Sequence, residues 1–494
     1  MVQLLDPIVL LVLSPIALFP DRFPREAVYI ALAMLLVPYV ARLLLYGRLT
    51  APTPANWPIA FLLFVSLPVT VWTTPVLWLF TWPELVRTVW GLAALLAAVN
   101  WVNPMFSRTR FRISSLAYGD IDTRTVLLTL VFFLIGIVFA AIGLTSLQVS
   151  EKVSFITPFV EALQRLPIPD VLGQAQGFNA NRVAGLLILY VPLSLALVLS
   201  PLPSGGSSGM AVIGWLVVKL CLLALFVGFG AAVLITQSRA GILATVIATT
   251  VACLFAGRRG WVALGLFVLI GIASLQVLGP EQLLDDLIVQ GRSEVSDDAS
   301  VTDRILSDRN VAGRIILWQR ALYGIADSPL TGMGLAAFQY VAQEPYPKLE
   351  GFRPDPDTKH AHNIFLQTGV DLGLPGMLAY AALLVIAGWY LFVLFRATPA
   401  NSSTRFWAVG LLGAFAAFLS YNLIDAVTLG ARPSIANWFL LGLIVAGGVQ
   451  LQLARQSSGA SADEASIHGD YDWDAGAWAS PAPAATAEEF DANR

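Results

Sequence analysis

The chain is poor in charge, in histidine and in cysteine. Asp, Glu, Lys and Arg make up 12% of its 494 residues, about half the ~25% of a soluble globular domain. Hydrophobic residues reach 57% and the mean hydropathy is +0.73, which excludes a water-soluble class. The net charge of −3 says little, because placement of charge outweighs its sum. No nucleic-acid motif and no soluble-domain repeat is present. The two cysteines, Cys221 and Cys253, lie inside apolar runs, so there is neither a disulfide framework nor a metal-type spacing. The stretch Met1 to Asp6 lacks a basic region and no small-residue cleavage site follows. The first apolar run is therefore expected to be a retained span and not a signal peptide.

What the chain does have is a succession of apolar runs near the ~20 residues that cross a bilayer as a helix. The sequence predicts an all-α polytopic membrane protein of about twelve spans. They fall at about 5–20, 26–46, 57–74, 83–102, 124–147, 182–200, 211–236, 240–256, 260–279, 364–395, 405–423 and 435–453. Residues 1–455 form the membrane domain. Residues 456–494, rich in Ala, Ser, Asp and Glu, are expected to be a disordered acidic tail. Lys and Arg in short loops orient the spans. Placing both termini in the cytoplasm puts Arg42, Arg48, Arg108, Arg110, Arg112, Arg124, Arg258, Arg259, Arg396, Arg405 and Arg455 there. The opposite short loops hold a smaller set: Arg22, Arg25, Lys152, Arg165, Arg182, Arg239 and Arg432. The outer face then receives the long segment at about 280–361, acidic on balance. Within it Ala312–Ala326 reads as an amphipathic helix that stops before Pro329, with Arg314 and Trp318 four apart on one face.

Of three histidines, His360 and His362 sit together in Lys359-His360-Ala361-His362-Asn363, where this polar segment meets a span. The third, His468, lies in the tail. Imidazole, with an unperturbed pKa of about 6.5, is the side chain suited to act as a base near neutrality. Asn363 has the character of a helix N-cap, and His362 is then either an interfacial polar residue or a base. Arg239, between two spans with almost no loop, either snorkels to the headgroups or clamps a lipid-linked phosphate through its planar fork. Arg314 either lies on a solvated helix face or does the same. Asn179, Asn181 and Arg182 open another span on that side, where capping is the plain reading. Gly332-x-Gly334 offers backbone N–H groups to an oxyanion. Asp425 and Arg432 are expected to pair with each other. Asp285-Asp286, Asp297-Asp298, Asp355 and Asp357 read as solvated acids, and no metal cluster or cofactor is expected.

Together these residues suit one chemistry. A neutral His362 takes a proton from a hydroxyl, while Arg239 and Arg314 stabilise the charge on a departing diphosphate. That is glycosyl transfer from a polyprenyl-diphosphate donor. The competing class is a transporter or flippase of polysaccharide precursors. It fits the span count, but no internal repeat relates the halves and the polar residues gather at one face, not at mid-membrane.

The pattern resembles the O-antigen ligase and O-antigen polymerase superfamily, which includes bacterial O-linked oligosaccharyltransferases. Four features carry the resemblance, over roughly residues 180–380. They are Asn179-x-Asn181-Arg182, Ser238-Arg239-Ala240-Gly241, Arg314-x-x-x-Trp318 followed by Pro329-Leu330-x-Gly332-x-Gly334, and His362-Asn363-x-x-Leu366-Gln367 followed by Gly373-x-x-Gly376. The resemblance implies a GT-C-like fold with one large extracytoplasmic loop. It implies a metal-independent, inverting glycosyltransferase of the bacterial inner membrane, acting on an undecaprenyl-diphosphate glycan. The acceptor would be a glycan, lipid or protein hydroxyl. His362 then corresponds to the catalytic base and Arg239 and Arg314 to the diphosphate contacts. Asn181, Arg182, His360 and Asn363 would support them. Position 371 is Asp where many relatives would carry Glu, and it is given no catalytic role.

Overall fold

The computed structural model describes residues 2–74, 77–106, 120–145, 147–148, 162, 178–202, 209–278, 309–341, 360–468, 471–472 and 477–478. The protein is all-α. Its helices are α1 (Val2–Leu18), α2 (Arg25–Tyr46), α3 (Asn56–Thr73), α4 (Trp82–Val102), α5 (Thr123–Thr145), α6 (Ala180–Leu199), α7 (Gly209–Ile235), α8 (Arg239–Phe255) and α9 (Gly257–Leu278). After these come α10 (Arg309–Asp327), the short α11 (Phe338–Val341), α12 (Ile364–Ala397), α13 (Ser403–Ile424) and α14 (Ser434–His468). Among the described residues, strand is confined to two-residue pairs, 147–148 with 178–179 and 471–472 with 477–478.

Among the described residues, ten helices are long and apolar enough to cross a membrane, and α8 and the Gln3–Leu18 stretch of α1 are shorter apolar helices. The expected twelve spans thus correspond to ten full-length candidates and two short ones. Most of α4 and α6 is buried, whereas α9 exposes nearly all of its apolar surface, as a helix does whose outer neighbour is lipid. The helices approach closely through small residues, the usual device where lipid offers no hydrophobic drive. Ala244, Ala248 and Ala252 recur every fourth residue on α8 and are all buried. Opposite them Gly413 of α13 comes so near that an added Cβ would lie 3.1 Å from the Ala248 carbonyl oxygen and from the Ala252 Cβ.

One detail corrects the charge reading. Arg42, counted above as a cytoplasmic cation, is buried and forms a bidentate pair with Asp6 of α1. It ties α2 to α1, where it satisfies a carboxylate that would be costly alone. The predicted amphipathic helix at 312–326 is α10. Its Leu317, Ala321 and Ile325 pack against Phe338, Ala361 and Val370, so the long polar segment is anchored to the His360–His362 turn. The rest of that segment, 279–308 and 342–359, lies outside the described residues, and with it Lys359 and the acidic pairs at 285–286, 297–298 and 355–357. Helix α14 runs to His468, into the segment from residue 456 that the sequence assigns to the tail.

Candidate active site

Asn179, Ser238 and Asn363 each cap the N-terminus of the helix that follows them. Asn179 accepts hydrogen bonds from the N–H groups of Asn181 (2.9 Å) and Arg182 (3.3 Å) at the start of α6. Ser238 accepts from Gly241 (3.3 Å) at the start of α8. Asn363 accepts from Phe365 (3.0 Å) and Leu366 (3.1 Å) at the start of α12. Each cap fills orphan donors of the first turn.

Tertiary bonds draw these starts together. The Tyr421 hydroxyl donates to the Asn181 carbonyl oxygen at 2.5 Å, and Asn363 Nδ2 donates to the Leu423 carbonyl oxygen at 3.1 Å. Gly241 nests on α6, where an added Cβ would lie 2.7 Å from the Ala184 Cβ. Arg239, the first residue of α8, therefore lies beside the helix start that carries Asn181 and Arg182. The starts of α6, α8 and α12 and the end of α13 thus share one end of the bundle. The positive ends of three helix dipoles point there, an arrangement that favours an anion.

His362 stands in this cluster with a left-handed φ of 52°, uncommon for a residue with a Cβ and typical of functional sites. The turn is fixed from below. Ala361 N–H donates to Gln367 Oε1 at 2.8 Å, and Gln367 Nε2 donates to Asp371 Oδ1 at 2.9 Å. Asp371 Oδ1 also accepts from the Ala336 N–H at 3.1 Å. Asp371 is thus a buried positioning residue, joining the 328–337 loop to the His turn. The Gly332-x-Gly334 stretch serves the same packing. Gly332 N–H donates to Ser328 (2.9 Å), and an added Cβ there would meet the Asp371 carbonyl carbon and oxygen at 2.6 Å.

His362 Nδ1 lies 2.9 Å from Asp425 Oδ1, and their side chains are 24% and 2% exposed. Asp425 also accepts from the Ala426 N–H at 2.8 Å. Burial alone would push the Asp425 carboxyl up. The hydrogen bond with His362, the electrostatic pull of the two neighbouring imidazoles and the Ala426 N–H outweigh burial and hold it well below the usual carboxylate range. An ionised Asp425 accepts a hydrogen bond from the Nδ1–H group, which leaves the His362 Nε2 lone pair free to accept a proton.

His360 differs. Its ring centroid is 4.3 Å from that of His362, yet it is buried. Burial, then the charge of His362, with lesser pushes from Arg182 and Arg314, drives its imidazole down to about 3 against the pull of Asp425. His360 is therefore neutral at physiological pH, and its Nδ1 accepts the His362 N–H at 3.3 Å. It shapes the turn and stays uncharged. Arg182 and Arg314 are among the charges that act most strongly on it; Arg239 is placed beside them only through α6. The donor atoms of His360, His362 and Asp425 lie within 4.8 Å of one another. That spacing suits a metal ion as well as a hydrogen-bonded dyad.

The loop after α13 holds what sequence reading misplaced. Asp425 and Arg432 do not pair. Asp425 goes to His362, while Arg432 Nε donates to the Leu18 carbonyl oxygen at 3.1 Å and its guanidinium lies 3.8 Å from Asp21. The loop is pinned between them: Thr428 Oγ1 donates to Glu84 Oε2 at 3.0 Å, and Arg87 Nε donates to the Gly430 carbonyl oxygen. Glu84 and Arg87, absent from the sequence candidates, had one readable signal. They are ionisable residues spaced three apart in the first turns of an apolar span, where such groups are rare without a function.

No curated protein matches the chain. The matched family segment contains Arg239, Arg314 and His362, and it excludes Arg182 and Asp425, which the fold returns to them. Residues 223–381 match the family described as O-antigen ligase, a match that supports membership of the O-antigen ligase and polymerase superfamily.

Proposed function

We propose that this membrane glycosyltransferase of the O-antigen ligase and polymerase type transfers a glycan from an undecaprenyl-diphosphate donor to an acceptor hydroxyl. Transfer takes place on the extracytoplasmic face of the bacterial inner membrane. The acceptor hydroxyl attacks the anomeric carbon and its proton passes to His362 Nε2. The bond from that carbon to the diphosphate oxygen breaks, and the lipid diphosphate leaves as an anion facing Arg239 and Arg314. A single displacement inverts the anomeric centre. The electrostatic stabilisation comes from guanidinium groups and helix N-termini, so the step is metal-independent.

The observation that carries this reading is the His362–Asp425 hydrogen bond at 2.9 Å. It pairs an accessible imidazole with a buried carboxylate, next to Arg182 and Arg314. His360, neutral and buried, is the poorer base, which supports His362 in that role.

The test is the surface glycan of a strain carrying His362→Ala with the protein retained in the membrane. Loss of glycan with accumulation of lipid-linked donor is expected, and a normal glycan overturns the role. In a null strain, a single repeat left on its acceptor identifies a polymerase. Full-length chains stranded on the lipid carrier identify a ligase, and loss confined to glycoprotein identifies protein glycosylation.

A further inference from the structure

A cavity of about 490 Å³ opens beside the His362 cluster, and the chemistry above does not use it. Its charged wall is Arg87, Arg182 and Arg432 with Glu84 and Asp21. Its apolar wall includes Phe80 and Phe139. Three guanidinium groups face two carboxylates, so the wall is positive on balance. Arg87 and Glu84 are largely buried, with 11% and 13% of their side-chain surface exposed. Both are committed to the 425–434 loop through Gly430 and Thr428, so this part of the wall is preformed. Arg432 and Asp21 are more open, at 25% and 50%, and their charged atoms stand 3.8 Å apart, a loose pair that an incoming anion can replace. Arg182 belongs to both sites: it lines the cavity and acts on His360. A volume of this order suits a small ligand held by a few polar groups against apolar walls.

Building on the transfer reaction proposed above, we propose that this cavity is a second-substrate subsite. It would hold an anionic sugar unit of the acceptor, bearing a phosphate or carboxylate, with its charge on Arg87, Arg182 and Arg432 and its ring against Phe80 and Phe139. The donor diphosphate and the acceptor anion then occupy separate arginine sets, and Arg182 lies where they meet. Separation has a physical reason. Two anions drawn to one guanidinium cluster would compete, whereas two clusters hold them side by side.

The experiment titrates glucose 1-phosphate, with glucose as the uncharged control, into the full chain in phosphatidylcholine nanodiscs. Saturable binding of the phosphosugar alone is expected. Arg432→Gln should weaken it about ten-fold, the loss of one charge-assisted hydrogen bond. Asp21→Asn, which removes the competing carboxylate, should tighten it. Because one substitution weakens and the other strengthens, misfolding cannot imitate the pattern. Arg314→Gln and His362→Ala should leave the titration unchanged, so failure of the transfer chemistry and failure of this subsite read out separately. Absence of saturable binding overturns the proposal, as does binding lost in Arg314→Gln but kept in Arg432→Gln. Displacement of the phosphosugar in phosphatidylglycerol nanodiscs would assign the cavity to a lipid headgroup and overturn it as well.

Discussion

His362 Nδ1 and Asp425 Oδ1 are 2.9 Å apart although 63 positions separate them in the chain. The contact joins the start of α12 to the loop after α13 and decides which imidazole nitrogen is free. Asp425→Asn keeps the side-chain shape but can donate to Nδ1, which moves the ring proton to Nε2 and removes the base. Transfer from a purified lipid-linked donor should fall by about 10²–10⁴-fold, the usual scale of general-base catalysis. The double variant with His362→Ala should be no worse than His362→Ala alone, because the two act as one unit. Additive losses in that cycle would show that Asp425 acts elsewhere.

His360 makes stability depend on acidity. Its imidazole is held at about 3 by burial first and by neighbouring charge second, whereas an unfolded histidine titrates near 6.5. Between those values the unfolded chain binds the extra proton, so stability rises with pH and is lost as pH falls below about 6.5. The depressed Asp425 carboxyl acts in the same direction at lower pH. His360→Asn keeps an acceptor near Nδ1 for the His362 N–H but has nothing to protonate. Thermal unfolding in detergent between pH 7 and pH 4.5 should show a falling Tm for the native chain and a flatter profile for the variant. Parallel profiles would refute the assignment.

The proposed donor contacts are tested by charge-conserving changes. Arginine binds a diphosphate through two parallel N–H groups, and lysine offers a point charge. Arg239→Lys and Arg314→Lys should each reduce transfer by about ten-fold or more, the loss of roughly one charge-assisted bond. Full activity in Arg239→Lys would assign that residue to snorkelling at the headgroups.

Much of this arrangement can be read from the chain, because span length, caps and breakers are local. Asn179, Ser238 and Asn363 each precede a helix they cap, and α10 ends just before Pro329. The His pair stood out by rarity. Pairing across the fold was not legible, because Asp425 and Arg432 are close in sequence and opposite in charge, which invites the wrong partnership. Asp425 instead turns to His362 and Arg432 to Leu18 and Asp21, with Gly430 between them packed on the Glu84 backbone, and all of these are tertiary facts. Arg42 illustrates the same gap: a basic residue near a span end reads as a topology signal until Asp6 of another helix is seen to neutralise it.

Gly430 is accordingly the residue on which the loop geometry depends. An added Cβ would lie 2.0 Å from the Glu84 carbonyl oxygen and 2.6 Å from the carbon beside it, and both are backbone atoms at the first turn of α4 that cannot swing aside. Gly430→Ala must push the loop outward. That strains the Arg87 bond to the Gly430 carbonyl and the Thr428 bond to Glu84, and it moves Asp425 away from His362. Overpacking of this kind costs about 1–3 kcal/mol. A lowered Tm is expected together with a fall in transfer rate resembling that of Asp425→Asn. Gly228→Ala on α7, where an added Cβ meets nothing within 4 Å, serves as the control and should leave both quantities as they are. If Gly430→Ala lowers stability but leaves transfer unchanged, the loop does not position the His362–Asp425 pair.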